Sequence, residues 1–376
     1  MSAPTSAPQR PSPAASQRPR HGRVVRRSRT VSAWLSGSRA EPWRDWAVLA
    51  VFNHTILLVI AFTHPAGVWL LPASLILGAG LATATLTVLH DAGHQQFSRR
   101  AWPNVFAVHS AAPVGLWVSH WTLKHRVHHR VTQVYPLDDA TRASGLVRLH
   151  PAAPRWPIHR WQHWYAWLLY GLAWAGELRS QLTYLRSGRV DGTTTPHIAR
   201  RLASFVAEKA LCLLALAPYI WLLGAGRLTV LLLGSMTVAS VLAAIATVVG
   251  HINLGLDPPA TAPAGADWPA HLVRTTASFS IESPTARWLT GGLTHHLAHH
   301  LRPAAPRSDL PQLHRTVITN IANKAGLEPV VYPGMIAALL GHTQRLRELG
   351  RPDAPNDTAV RAGLPLLVRG AASAGR

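Results

Sequence analysis

The 376-residue chain has one cysteine, Cys212, and it lies inside an apolar stretch. That excludes an intramolecular disulfide, a cysteine-ligated iron–sulfur cluster and a cysteine zinc site. Acidic residues are also scarce: 16 Asp and Glu stand against 37 Lys and Arg, a net charge of +21. There is thus no carboxylate-rich site for a hard cation, and the basic excess points to an anionic lipid surface or an acidic protein partner. No nucleic-acid-binding motif accompanies the charge, so nucleic acid is set aside. No flavin or nicotinamide fingerprint is present. Only 14% of the residues are charged and 48% are hydrophobic, the balance of a membrane protein.

Four apolar segments are long enough to cross a bilayer, which takes about 20 helical residues. They run from about Trp46 to Phe62, Ala66 to Leu89, Ala207 to Leu223 and Leu228 to Gly250. Their short connections, Thr63-His64-Pro65 and Gly224 to Arg227, pair them into two helical hairpins. The expected fold is an all-α integral membrane protein, with four spans in two hairpins under a cytoplasmic helical cap. A basic N-terminus on the cytoplasmic side delivers His90 and His251 to one face, at the ends of the second and fourth spans. Both termini are then cytoplasmic. Val105 to Trp121 reads as a buried or interfacial helix, and the aromatic stretch Trp156 to Leu178 as a helix lying in the cytoplasmic leaflet. Residues 1–40 read as a disordered basic arm, 41–345 as the membrane domain and 346–376 as a disordered tail.

Histidine is abundant, with 22 in the chain. Three clusters carry helical spacing: His90 and His94 in HDAGH; His125, His128 and His129 in HRVHH; His296, His299 and His300 in HLAHH. Residues three and four apart share a helix face, so each cluster aims imidazoles at one point. With His251, in GHINLG, they make nine candidate ligands. Nine nitrogens are too many for one tetrahedral zinc and suit two transition metals with four or five each. Asp91, Asp138, Asp139 and Glu282 are candidates to orient imidazole N–H groups; Asp91 is the nearest, and the other three could equally be solvated or cap a helix. Trp117 and Trp121, beside the second cluster, are candidates for lining a substrate tunnel. His295 adjoins His296 but points about 100° away on a helix, and it is left out of the set. The remaining histidines, His54 and His64 among them, are read as solvated or locally bonded. A metal transporter would place its polar site near the bilayer midplane; here the clusters lie just outside nearly charge-free spans.

HDAGHQQFS, WTLKHRVHH and GGLTHHLAHHLRP, in this order between two hairpins, resemble the three histidine boxes of the membrane fatty acid desaturases over roughly residues 45–345. The third is similar to the acyl-lipid and front-end branch, with His296 where that branch has Gln and Ala298 where it has Glu. The resemblance implies two iron ions held by the eight box histidines and His251, with Asn253 as a residue assisting the site. It implies an O₂-dependent oxidoreductase that introduces a double bond into a fatty acyl chain carried by membrane lipid, coenzyme A or a carrier protein. A hydroxylase or ketolase of another apolar substrate is the alternative. Two external electrons are required, and a small acidic ferredoxin or similar donor suits so basic a surface.

Overall fold

The computed structural model describes residues 40–352, apart from 143–144, 191–192, 196 and 259–266. The expected arm and most of the expected tail lie outside the described residues.

Among the described residues, four helices are long and apolar enough to cross a membrane: Glu41–Thr63, Gly67–Gly93, Ile198–Leu223 and Ala225–His251. Helix α1 spans Ala40–Thr63, and α2 spans Leu70–Ala84. A π-turn at Thr85–Leu89 and a last turn at His90–Gly93 continue α2. Leu, Ile and Ala fill these helices without an amphipathic stripe, as expected where lipid rather than water surrounds them. Many of their large side chains face outward, Phe62 and Leu71 among them, while Leu70, Leu77, Leu223, Leu228 and Leu231 form the packed core between the spans.

The region after α2 departs from the expected single helix at Val105 to Trp121. It forms α3 (Ala101–Ser110), a turn, and α4 (Val118–Arg130). Pro113 lacks the N–H a continuing helix needs, and Gly115 sits at φ +77°; together they re-aim the chain so that α4 can carry the second histidine cluster. The aromatic stretch is likewise two helices, α5 (Gln162–Gly171) and α6 (Ala173–Ser187), broken at Leu172. Trp156, Trp161, Trp164 and Leu168 are exposed along it.

Helix α7 (Ile198–Leu223) starts nine residues before the expected span. Arg201, in its first turn, is buried and reaches the carbonyl of Thr195, so a basic turn that hydropathy rejects is still helix. Helix α8 (Ala225–His251) packs along α2, and Ser74 donates to the Leu231 carbonyl. Beyond it come α9 (Trp268–Thr275), α10 (Pro284–Leu289), α11 (His296–Leu301) and α12 (Met335–Leu349). Leu346 and Leu349 are buried against Tyr170 and Ile252, so the ordered chain runs past the expected boundary at 345. The described residues also form two short strand pairs: antiparallel Arg189–Val190 with Thr193–Thr194, and parallel Ser278–Phe279 with Val331–Tyr332.

Candidate metal centre

The nine histidines singled out in the sequence converge. The π-turn widens α2 just before His90, and such bulges recur at functional sites. Gly291, in the GGL that opens the third cluster, lies against that turn: a Cβ there would sit 1.7 Å from the Leu86 carbonyl oxygen. Only glycine fits, and its φ of +62° is one a side chain rarely adopts. The third cluster is thereby docked on the helix that carries the first. Gly250 makes a second close approach, since a Cβ on it would meet the His296 ring at 2.9 Å.

The imidazoles sort into two groups. His90, His94, His125, His129 and His299 bring ligand-capable nitrogens within 4.8 Å of one another, and so do His128, His251 and His300. His296 joins the latter, its Nε2 being 2.8 Å from that of His251 and 3.2 Å from that of His300. The division is five and four. In the five-imidazole half, the Nε2 atoms of His94 and His125 are 2.8 Å apart, those of His125 and His129 3.3 Å, and those of His129 and His299 3.2 Å. Two nitrogens bound at right angles to one metal at about 2.1 Å would stand roughly 3 Å apart.

The protonation pattern fits a cation. His128 Nδ1 donates to both oxygens of Asp138 at 3.0 Å. His251 Nδ1 donates to the Thr275 carbonyl at 3.3 Å. His300 Nδ1 donates to Thr132 Oγ1 at 3.2 Å, because that hydroxyl gives its own proton to the His128 carbonyl. All three rings therefore present a bare Nε2 lone pair, with His251 Nε2 lying 3.2 Å from that of His128 and 3.0 Å from that of His300. Facing lone pairs repel unless a positive ion lies among them. Burial, then the neighbouring imidazoles, holds the rings neutral: His94 is lowered to about 2, and His125, His129, His296, His299 and His300 fall well below the usual histidine range. Neutral imidazole is the form that binds a transition metal.

The carboxylate beside the four-imidazole half is Asp138. It is fully buried, its charge stabilised by His128 and by the backbone N–H groups of Gln133 and Ala140 against the cost of burial. In sequence it read equally as a turn cap, and it does cap the turn at Asp139–Thr141. Asp91 does not hydrogen-bond to its neighbour His90; the closest approach is 3.9 Å, and its other oxygen is taken by Arg307. Asn253 turns away from the histidines. Its amide donates to the Val249 and Ala338 carbonyls and accepts from Tyr332, so it fastens α8 to α12 instead. Asp139 pairs with Lys124 and Arg142, and Glu282 is exposed. His295 lies off the cluster, edge-on to His314.

The aromatic candidates differ. The Trp121 ring stacks flat on His125, 4.9 Å between centroids, and closes over Gly93. Trp117 is buried among Tyr184, Phe205 and Val190 and donates to Ser204, so it packs α4 onto α6 and α7. Neither lines the cleft of about 320 Å³ between α3 and α4. That cleft runs from Val105 and Val108 past Val118 and Leu123 to Ala92 and Gly93, next to His94, with Arg126 on its wall.

The sequence profile described as fatty acid desaturase matches residues 66–328. The chain is 29% identical to an sn-1 linoleoyl-lipid 6-desaturase of Synechocystis sp., over 74% of this chain and 79% of that one. It is 25% identical to the enzyme of the same name from Arthrospira platensis, over 86% and 91% of the two chains. An acyl-lipid omega-13 desaturase of Chlamydomonas reinhardtii is also 25% identical, over 78% of this chain and 62% of that one.

Proposed function

This chain belongs to the fatty acid desaturase family, and from that premise we propose that it is an acyl-lipid desaturase holding two irons, one in each half of the imidazole cluster. The carrying observation is the five-and-four convergence of His90, His94, His125, His129 and His299 with His128, His251, His296 and His300. The reaction turns –CH₂–CH₂– into –CH=CH–, with O₂, two electrons and two protons becoming two waters. When bound, the iron pair supplies the oxidising power that an unactivated C–H bond demands.

The protein's part is to hold, orient and shield. Nine imidazole nitrogens would hold the two irons without cancelling their charge. Asp138, Thr132 and the Thr275 carbonyl fix three rings through their far nitrogens, the arrangement that aligns metal-bound histidine. Trp121, stacked on His125, covers one side of the five-imidazole half. The α3–α4 cleft, lined by Val105, Val108, Val118 and Leu123 but also by Asn104, His109, Ser119 and Arg126, offers the acyl chain an approach as far as Gly93, the residue before His94, and α3 exposes Trp102, Val105 and Phe106 as a lipid-facing edge beside it.

The two helix pairs act as hairpins that return the chain to one face, with both termini and the cap cytoplasmic by the positive-inside rule. Electrons come from an acidic carrier such as a ferredoxin, steered by the +21 charge. The test is lipid profiling of cells that express the protein with a ferredoxin and its reductase. A new double bond in membrane lipid, lost in His299→Ala, is expected. An unchanged profile from protein that contains two irons and accepts electrons would overturn the reading.

A further inference from the structure

A buried ion network outside the histidine set ties three distant segments together. Arg307, seven residues past the third cluster, is almost fully buried. Its Nε donates to Asp91 Oδ2 at 2.8 Å, and its Nη2 to Asp45 Oδ2 at 2.5 Å. Asp45, itself buried near the start of α1, also accepts from Trp288 Nε1 at 3.2 Å and pairs with the more exposed Arg44 at 3.0 Å. Two carboxylates and one guanidinium share an interior where an unpaired charge is costly. Asp45 is fully partnered; Asp91 is not. Its Oδ1 is buried without a hydrogen bond, and so is Nδ1 of His90, 3.9 Å away. One atom can only accept and the other can donate.

The other half of the cluster shows what such a pair is for. There the Asp138 carboxylate takes the His128 Nδ1 proton at 3.0 Å and leaves Nε2 bare. His90 and Asp91 are the same pair held about one ångström short of contact. We propose that Arg307 is a positioning residue: it holds the Asp91 carboxylate so that the His90–Asp91 hydrogen bond closes when the five-imidazole half takes its metal. Asp45 is the anchor that keeps the guanidinium in place. Because Arg307 follows the third cluster and Asp91 lies in the first, the network also fixes how His299 meets His90 and His94. This inference rests on the metal-centre reading.

The test uses full-length protein loaded with ⁵⁷Fe(II) alone, read by chelator competition and Mössbauer spectroscopy, with thermal melting of the metal-free form. Asp91→Asn keeps the shape and replaces the acceptor that faces His90 with a weaker or donating group. It should weaken one iron about 10- to 100-fold, the range for loss of a partner to a ligating histidine, and alter one of the two quadrupole doublets. Arg307→Gln should alter the same doublet, and Arg307→Lys, which can serve one carboxylate at a time, should restore it partly. If Arg307 serves only packing, Arg307→Gln lowers the melting temperature and weakens both irons alike, while Asp91→Asn leaves both at wild-type affinity. Either result overturns the proposal, and should Arg307→Gln not fold, Asp91→Asn decides alone. Wild-type protein that takes up no iron would instead defeat the metal-centre reading.

Discussion

In the four-imidazole half, the rings of His128, His251 and His300 reach the centre already fixed through Nδ1, by Asp138, a carbonyl and a threonine. In the five-imidazole half, Nδ1 of His90 and of His129 has no hydrogen-bond partner. His296 shares the loose condition, but its ring is wedged against Gly250. One half is thus oriented before any metal arrives, on the end of a span. The other lies beside the α3–α4 cleft, and on the proposal above it completes its order on binding metal.

The largest effect expected from breaking this contrast is at His251. Its Nε2 is the near neighbour of three others in its half. His251→Ala should lose about one iron per chain by elemental analysis and at least ~100-fold in turnover, while expression and membrane insertion hold. His64→Ala, in the connection between the first two spans, should match wild type. Retention of both irons in His251→Ala would remove it from the ligand set. Asp138→Asn should do less: a 10- to 100-fold weaker metal in the four-imidazole half alone, seen as one iron released early to a chelator. Equal release of both irons would mean the halves are not separately held.

The smallest effect is acid sensitivity behind the fixed half. His342 donates to the Ile252 carbonyl next to His251 and accepts from Tyr170. Burial lowers it to about 4; burial, with Arg345 and Arg148, does the same to His150. The unfolded chain, with histidines near 6.5, takes up protons first as pH falls. The share of the metal-free protein's stability that these two rings contribute should therefore decline from about pH 6.5 and level off near 4. The melting temperature at pH 5 should lie below that at 7.5, and His342→Gln should flatten part of the slope. A flat profile in wild type would show these rings are charged or exposed.

The spans and the nine histidines were legible because both signals are local: hydropathy over about 20 residues, and imidazoles three or four apart. The broken helices at Pro113 and Leu172 were less so. The apolar periodicity of Val105 to Trp121 passes through the turn, and nothing flags Leu172 locally. Partners to the rings were the least legible. Asp91 is adjacent in sequence yet stands 3.9 Å off, whereas Asp138 lies ten residues from His128 and reaches it because the chain turns after α4. The Arg307–Asp45 contact spans 262 positions and leaves no local trace. The resemblance implies that Asn253 assists the centre, but the helix ends at His251 and the chain turns the amide toward α12.

Chain order gives the five-and-four division one more consequence. A ribosome that has made 130 residues has already made four of the five rings on one side, His90, His94, His125 and His129, but of the other group only His128. His251 comes 121 residues later, and the last cluster later still, so during synthesis a nearly complete nitrogen set waits a long time for its final member. The close fit of Gly291 against Leu86 is the docking event that ends that wait. Neither half can close before the chain has passed residue 299, by which point all four spans have been synthesised.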